Sequence, residues 1–264
     1  MISVYTAKVK FCYGNFMLIN QSAVESAIKI IELRTKVLDL NIKCAELGLY
    51  EREDVIYHLN QDLTLLLKSS IKYNFLDRID YGNSFLVGEG NLSFTLSLIK
   101  QLQTLPILIT STYESYKDLS DIGQYNAILL HNTGIKVMHN IDATNLHKVF
   151  PKSSFDTVIF QFPHSGSREP IGGHNPNYVL VRDFITSASY ILKKNGIILI
   201  TIVDNAFYNN VFRFEEISEQ LGLVQPVKYN FDPKDYPQYV HSNTNQDGSA
   251  LEEYKKFATW EFVI

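Results

Sequence analysis

Two cysteines, Cys12 and Cys44, are too few among 264 residues for a disulfide framework or a zinc site. A reducing compartment fits that scarcity, and the expected location is cytoplasmic. No run of about 18 uninterrupted apolar residues occurs, so no transmembrane helix and no membrane partner are expected. The opening MISVYTAKVKFCYGNF lacks a charged segment followed by an apolar one, which argues against a secretory signal. Basic excess is also missing: 24 Lys and Arg stand against 28 Asp and Glu, for a net charge of −4. Proteins that grip nucleic acid nonspecifically usually carry a basic surface. Here the longest basic clusters are the pairs Lys193-Lys194 and Lys255-Lys256, which confines any such grip to a local patch. No G-x-x-x-x-G-K-[ST] occurs, so a phosphate-cradling P-loop is absent, and no repeat or low-complexity tract is visible.

What is present suffices for one large domain, or one plus an extension, at 45% hydrophobic content. Residues 2–12 read as a short strand or hairpin. From Ser22 to about Leu47, Ala27, Ile30, Ile31, Val37, Leu38, Ile42 and Ala45 fall at helical spacing. Ser22 with Glu25 can cap that helix and Gly48 can end it. A second helix is predicted from Glu51 to about Asn74. Residues 1–80 therefore read as a mainly helical extension, expected to act as a substrate cover or a homodimer contact.

After Tyr81 short apolar runs alternate with helical stretches. Strands are predicted over 84–88, 106–112, 135–140, 155–162, 196–203, 224–230 and 257–263. Helices are predicted over 92–103, 117–131, 177–193 and 212–221. That alternation predicts an α/β domain over 81–264, a mostly parallel seven-stranded sheet with helices on both faces. The polar stretch 231–256 is long for a compact domain and reads as a functional lid or a disordered loop.

In such a sheet, ligands bind beyond the carboxyl ends of the strands. The first strand runs into Gly88-Glu89-Gly90-Asn91, where missing Cβ atoms let backbone approach a ligand. Ser93 stands where a dinucleotide fingerprint would carry its third glycine, which weakens a nicotinamide reading. Glu114 follows the second strand, and Asp142 with Ala143 follows the third. Carboxylates there suit ribose hydroxyls and an exocyclic amine, although Glu114 also reads as a solvated loop acid and Asp142 as a helix N-cap. A nucleoside without a pyrophosphate grip is the ligand class that fits, and S-adenosylmethionine meets that description.

The fourth strand ends in Gln161-Phe162-Pro163-His164, with Pro163 terminating the ladder. Amino-methylating enzymes commonly carry an Asn/Asp-Pro-Pro-aromatic motif at this place. Together "FLVGEGNLSFTLSL", "NIDATNL", "FDTVIFQFPHSG", "VLVRDFITSASYILKKNGIILITI" and "DYPQYVHSNT" resemble the Rossmann-like family of the eukaryotic 25S ribosomal-RNA (uridine-N3) methyltransferase, over about residues 83–264. The family usually has Asn where this chain has Gln161. The resemblance implies a class I methyltransferase fold, S-adenosylmethionine as cofactor and N-methylation of RNA. Gln161, Phe162, Pro163 and His164 would then form the catalytic stretch, with His164 either removing the acceptor proton or holding a strand-end hydrogen bond.

Arg168 could orient substrate but reads more readily as half of a solvated loop pair with Glu169. His174 and Asn175 sit in a Gly-rich stretch that could order over substrate. Phe207 and Tyr208 after the fifth strand read as pocket lining or as core packing. Tyr236, Tyr239 and His241 in the long loop could stack on a planar base or simply pack that loop down. No spacing supports a metal role. Two other readings stay open: N-methylation of a small heteroaromatic metabolite, and a noncatalytic nucleoside-binding module.

Overall fold

The computed structural model describes residues 74–79, 82–102, 107–241 and 250–264. The predicted strand at 2–12 and the helices at 22–47 and 51–74 lie outside the described residues. Seven strands form one sheet: β1 Ser84–Val87, β2 Leu108–Ser111, β3 Lys136–Met138, β4 Phe155–Gln161, β5 Leu192–Val203, β6 Val227–Phe231 and β7 Phe257–Val263. Their order is β3-β2-β1-β4-β5-β7-β6. β1 to β5 pair in parallel, and β7 runs antiparallel to both β5 and β6.

The central strands β1 and β4 are buried apart from Asp156, which is why they read as short apolar runs. Alternate residues feed two separate clusters. Phe85, Val87, Val158, Phe160, Ile198 and Ile200 point to one face. Leu86, Ile159, Ile197 and Leu199 point to the other. The first face is covered by α4 (Pro176–Ile191), α5 (Ala206–Phe212) and α6 (Phe214–Leu221). The second is covered by α1 (Phe75–Ile79), α2 (Ser93–Ile99) and α3 (Asp121–Asn132). Helices thus cover both faces of a mostly parallel sheet, as the alternation predicts. Phe75 and Ile79, at the end of the stretch read as an extension, are fully buried in the second cluster.

Three local departures have physical causes. The helix predicted over 92–103 ends at Ile99, and the one predicted from 117 starts at Asp121, where Ser120 accepts from the Gly123 amide at 3.2 Å. α5 precedes the predicted 212–221 helix: Asn205 caps it by accepting from the Tyr208 amide at 2.9 Å. Arg213, with φ 47°, breaks the chain between α5 and α6. The long polar loop contains a 3₁₀ turn at Pro233–Asp235 and α7 (Ala250–Glu253), while 242–249 lies outside the described residues. Among the described residues no helix is long and apolar enough to cross a membrane.

The order changes direction between β1 and β4, since β2 and β3 lie on one side and β5 on the other. The carboxyl ends of these two strands face a shared crevice, the usual ligand position in an open α/β sheet.

Candidate active site

A cavity of about 400 Å³ opens at that crevice, within the range of small-ligand sites. The turn after β1 forms its floor. Gly88 takes φ +70°, a left-handed conformation that suits glycine, and the Glu89 amide donates to the Ser111 carbonyl of β2 at 2.9 Å. Leu92, at φ 63°, turns the chain into α2. The Thr95 amide of α2 donates to both oxygens of Glu89, at 3.1 and 3.2 Å. Glu89 is buried and lines the cavity. Burial outweighs the Thr95 bonds and pushes its carboxyl up to about 7.

That elevation gives a stability prediction. Below about pH 4.5 the carboxyl is protonated folded and unfolded, so burial costs nothing. Above about 7 it is ionised in both states, and the folded protein bears the full cost, about 3 kcal/mol. Glu89→Gln, which keeps an acceptor for Thr95, is expected to melt higher than the parent at pH 8 and equally at pH 4.5. Parallel thermal melts at the two pH values check this.

The neighbouring side chains serve a second purpose. Asn91 Nδ2 and Ser93 Oγ donate to the Val240 carbonyl at 2.8 and 2.9 Å, and the Val240 amide donates back to Ser93 Oγ at 3.0 Å. These bonds fix the segment after β6 against the floor. Tyr239, Val240 and His241 thereby line the cavity. Ser93 is buried at this junction and does not line the cavity. Tyr236 lies three residues before Tyr239, yet it is buried against Phe231, with rings 5.3 Å apart and stacked.

The ends of β2 and β3 supply the next wall. Tyr113, Glu114, Ile141, Asp142, Ala143 and Thr144 line the cavity there. Asp142 accepts from the Thr144 amide, Thr144 Oγ1 and Asn145 Nδ2, at 2.8, 2.7 and 2.6 Å. Burial raises its carboxyl, but these hydrogen bonds and the Lys148 charge outweigh that and hold it below the ordinary range. Asp142 thus caps the 3₁₀ helix that follows it. Glu114 anchors the turn through its carbonyl, which accepts from Thr112 Oγ1 at 2.8 Å. Its half-buried side chain faces the cavity.

The opposite wall is the end of β4. Phe162 sits at φ 48°, a costly conformation for an aromatic residue and a mark of functional turns. The turn directs its ring against His241, Phe257 and Phe231, at 5.0, 5.6 and 6.1 Å. Gln161 is only 8% exposed and lines the cavity, and neither its Nε2 nor its Oε1 has a hydrogen-bond partner. Pro163 is buried behind it. His164 is exposed at the mouth, and its Nδ1 accepts from the Gly166 amide at 3.0 Å. A neutral ring with Nδ1 accepting carries its proton on Nε2.

Of the other candidates, Arg168 is exposed and Phe207 is 67% exposed, and neither lines the cavity. Tyr208 is half-buried and stacks with Phe212 at 6.2 Å. Asn175 caps α4 through the Asn177 amide at 2.9 Å. His174 stacks on Tyr178 at 5.1 Å, outside the cavity. The structure adds lining residues absent from the sequence candidates: Tyr113, Ile171, and Pro176, Val179, Leu180 and Asp183 on α4. The helical spacing of 176, 179, 180 and 183 was the available signal for the last four.

A family model described as BMT5-like rRNA (uridine-N3-)-methyltransferase matches residues 85–243. The Arabidopsis thaliana heavy metal-associated isoprenylated plant protein 41 is 29% identical over 182 residues, covering 64% of this chain and 34% of that protein. An uncharacterized Arabidopsis thaliana protein is 27% identical over 183 residues, covering 64% of this chain and 85% of its own length. This chain therefore spans about a third of the first relative. A SAM-dependent methyltransferase structure from Archaeoglobus fulgidus aligns with TM-score 0.45 at 10% identity, covering 72% of this chain and 90% of that one.

Proposed function

The chain belongs to the BMT5-like rRNA (uridine-N3-)-methyltransferase family, and from that membership we propose that it methylates N3 of uridine in RNA with S-adenosylmethionine as cofactor. The cavity's chemistry fits such a cofactor. Glu114 offers a carboxylate to ribose hydroxyls, whereas Asp142 has its oxygens occupied by its own helix. Ile141, Ala143, Val179 and Leu180 make an apolar slot for a base. Glu89 offers the buried negative charge that a cationic ligand needs. When bound, S-adenosylmethionine supplies an electrophilic methyl group on a sulfonium.

The acceptor reading rests on Gln161. An amide buried with both polar atoms unpaired costs about 1–3 kcal/mol per group, and a ligand that accepts from Nε2 removes that share of the cost. Uracil N3 lies between two carbonyl groups, and loss of the N3 proton spreads negative charge over both oxygens. A donor on each oxygen stabilises that charge as it develops. Gln161 Nε2 serves one carbonyl, and His164 Nε2–H at the mouth serves the other. The bond from Gly166 to His164 Nδ1 makes the ring a donor in its neutral state and so favours this role over proton removal. The imide proton leaves to water at the open mouth. Direct displacement at the sulfonium requires the acceptor nitrogen at reacting distance, about 3–3.5 Å, and the walls of the crevice are what would position it.

The direct test is nucleoside analysis of uridine-containing RNA after incubation with the protein and S-adenosylmethionine. 3-Methyluridine is the expected product, and methylation confined to another position or to free heterocycles overturns the reading. Gln161→Leu gives a second check. It is expected to raise the melting temperature, since two unpaired polar groups are removed, and to lower turnover about 10²-fold with unchanged cofactor affinity. Turnover at the parental rate excludes Gln161 from the acceptor.

A further inference from the structure

The cavity wall is one-sided in charge. Glu89, Glu114, Asp142 and Asp183 line it, and among the described residues no lysine or arginine does. Two of these carboxylates are already matched: Asp142 by Thr144 and Asn145, Asp183 by Arg182 at 2.8 Å. Glu114 is half-buried and can be hydrated. Glu89 differs from all three, because it is buried and its partners are the uncharged amide and side chain of Thr95. Uncharged partners leave the carboxylate charge uncompensated within a wall of the cavity. An ionised carboxylate in such a place is poorly hydrated and has no counter-ion among the described residues, and a cation entering the cavity would supply one.

The titratable groups on the elements around it are few. Tyr239 and His241 come from the segment after β6, His164 from the turn after β4, Tyr113, Glu114 and Asp142 from the turns after β2 and β3, and Asp183 from α4. Tyr239 cannot supply charge, because burial and then the Glu89 charge push its hydroxyl well above its ordinary range. The two histidines stand at the mouth and against Phe162.

We propose that Glu89 reads the charge of the cofactor, releasing a proton when a cationic ligand enters and keeping it when the sulfur is neutral. This rests on the S-adenosylmethionine reading of the cavity. S-adenosylmethionine carries a sulfonium, which its demethylated product S-adenosylhomocysteine lacks. Ionised Glu89 therefore favours the reactant over the product. Once the sulfonium charge is lost a proton returns to Glu89, and the extra hold on the ligand is lost with it. The raised protonation range of Glu89 places this exchange near neutrality.

Calorimetry on the full chain at pH 7, in phosphate and in Tris, measures protons exchanged on binding. S-adenosylmethionine and sinefungin, which carries an ammonium in place of the sulfonium, are each expected to release about half a proton. S-adenosylhomocysteine is expected to release far less. Between pH 6 and 8 the preference for S-adenosylmethionine over S-adenosylhomocysteine should grow about tenfold. Glu89→Gln should abolish the release and lower that preference about tenfold, with S-adenosylhomocysteine affinity nearly unchanged. The inference is overturned if the parent binds both ligands with no proton release and a pH-independent preference, or if Glu89→Gln retains the parental release. The parental measurements decide the matter even where the variant fails to fold. If neither ligand binds the parent, the cofactor reading itself falls.

Discussion

Replacing His164 with alanine lowers turnover on uridine-containing RNA by about 10²–10³-fold and leaves S-adenosylmethionine affinity nearly unchanged, the loss typical of one donor to a developing oxyanion. His164 lies at the mouth of the cavity, after the strained Phe162 and buried Pro163 at the end of β4. Its position separates it from the floor made by Gly88 to Asn91, so a change there reaches the acceptor first. The Gly166 amide at 3.0 Å holds Nδ1 as an acceptor and leaves Nε2 as the donor. A base would instead need Nδ1 vacated or Nε2 deprotonated. His164→Asn separates the two roles, because asparagine keeps an N–H donor and cannot titrate. Under the donor role, His164→Asn recovers turnover to within about tenfold of the parent and keeps its pH–rate profile. If asparagine is as slow as alanine and one limb of the profile disappears with either, His164 removes the proton. Parental turnover in His164→Ala would exclude it from both roles.

The glycine turn and the strand–helix alternation were legible because both are written locally. Gly88 takes a positive φ, and the buried strands carry short apolar runs, Phe85 to Val87 and Val158 to Phe160. Strand ends were equally legible, which put Glu89, Glu114, Asp142, Gln161 and His164 around one cavity. What each side chain does there was not. Asp142 reads in sequence as a ligand carboxylate or as a helix N-cap, and the structure takes the second, spending its oxygens on Thr144 and Asn145, whereas the Glu114 side chain faces the cavity. That difference depends on a 3₁₀ turn whose geometry no spacing encodes. Tyr236 and Tyr239 also look alike, but a turn between them sends one ring onto Phe231 and the other to the cavity wall. α5 left little trace, since Asn209 and Asn210 interrupt the apolar pattern of a seven-residue helix held by its Asn205 cap. The α4 wall needs knowledge of how that helix is rotated against the sheet, a property of packing with the Ala143–Lys148 turn and not of local sequence.

Gly88→Val is expected to lower stability by about 3 kcal/mol or more and to abolish measurable cofactor binding. Two costs combine. At φ +70° a β-branched residue is strained whatever space surrounds it. A Cβ built there also lies 2.5 Å from Phe160 Cε2 and 3.1 Å from its Cζ, so the ring must move. Phe160 cannot move freely, because it is buried and packs edge-on against Phe184 at 5.0 Å. The alternative is a shift of the turn itself, which would pull the Glu89 amide from Ser111 and disturb the cavity floor. A double-mutant cycle tells the two costs apart. Gly88→Ala alone carries both, while Phe160→Leu removes the flat ring edge. If ring contact matters, the combined variant is more stable than the sum of the single effects by about 1 kcal/mol, and the remaining loss is backbone strain. Gly90→Val provides the contrast: Gly90 lines the cavity, so a branched side chain there should abolish ligand binding through occupancy of the ligand's space. Thermal melts and calorimetry with S-adenosylmethionine on these variants give both quantities. A folded Gly88→Val or Gly90→Val protein with parental affinity would place the cofactor somewhere other than this turn.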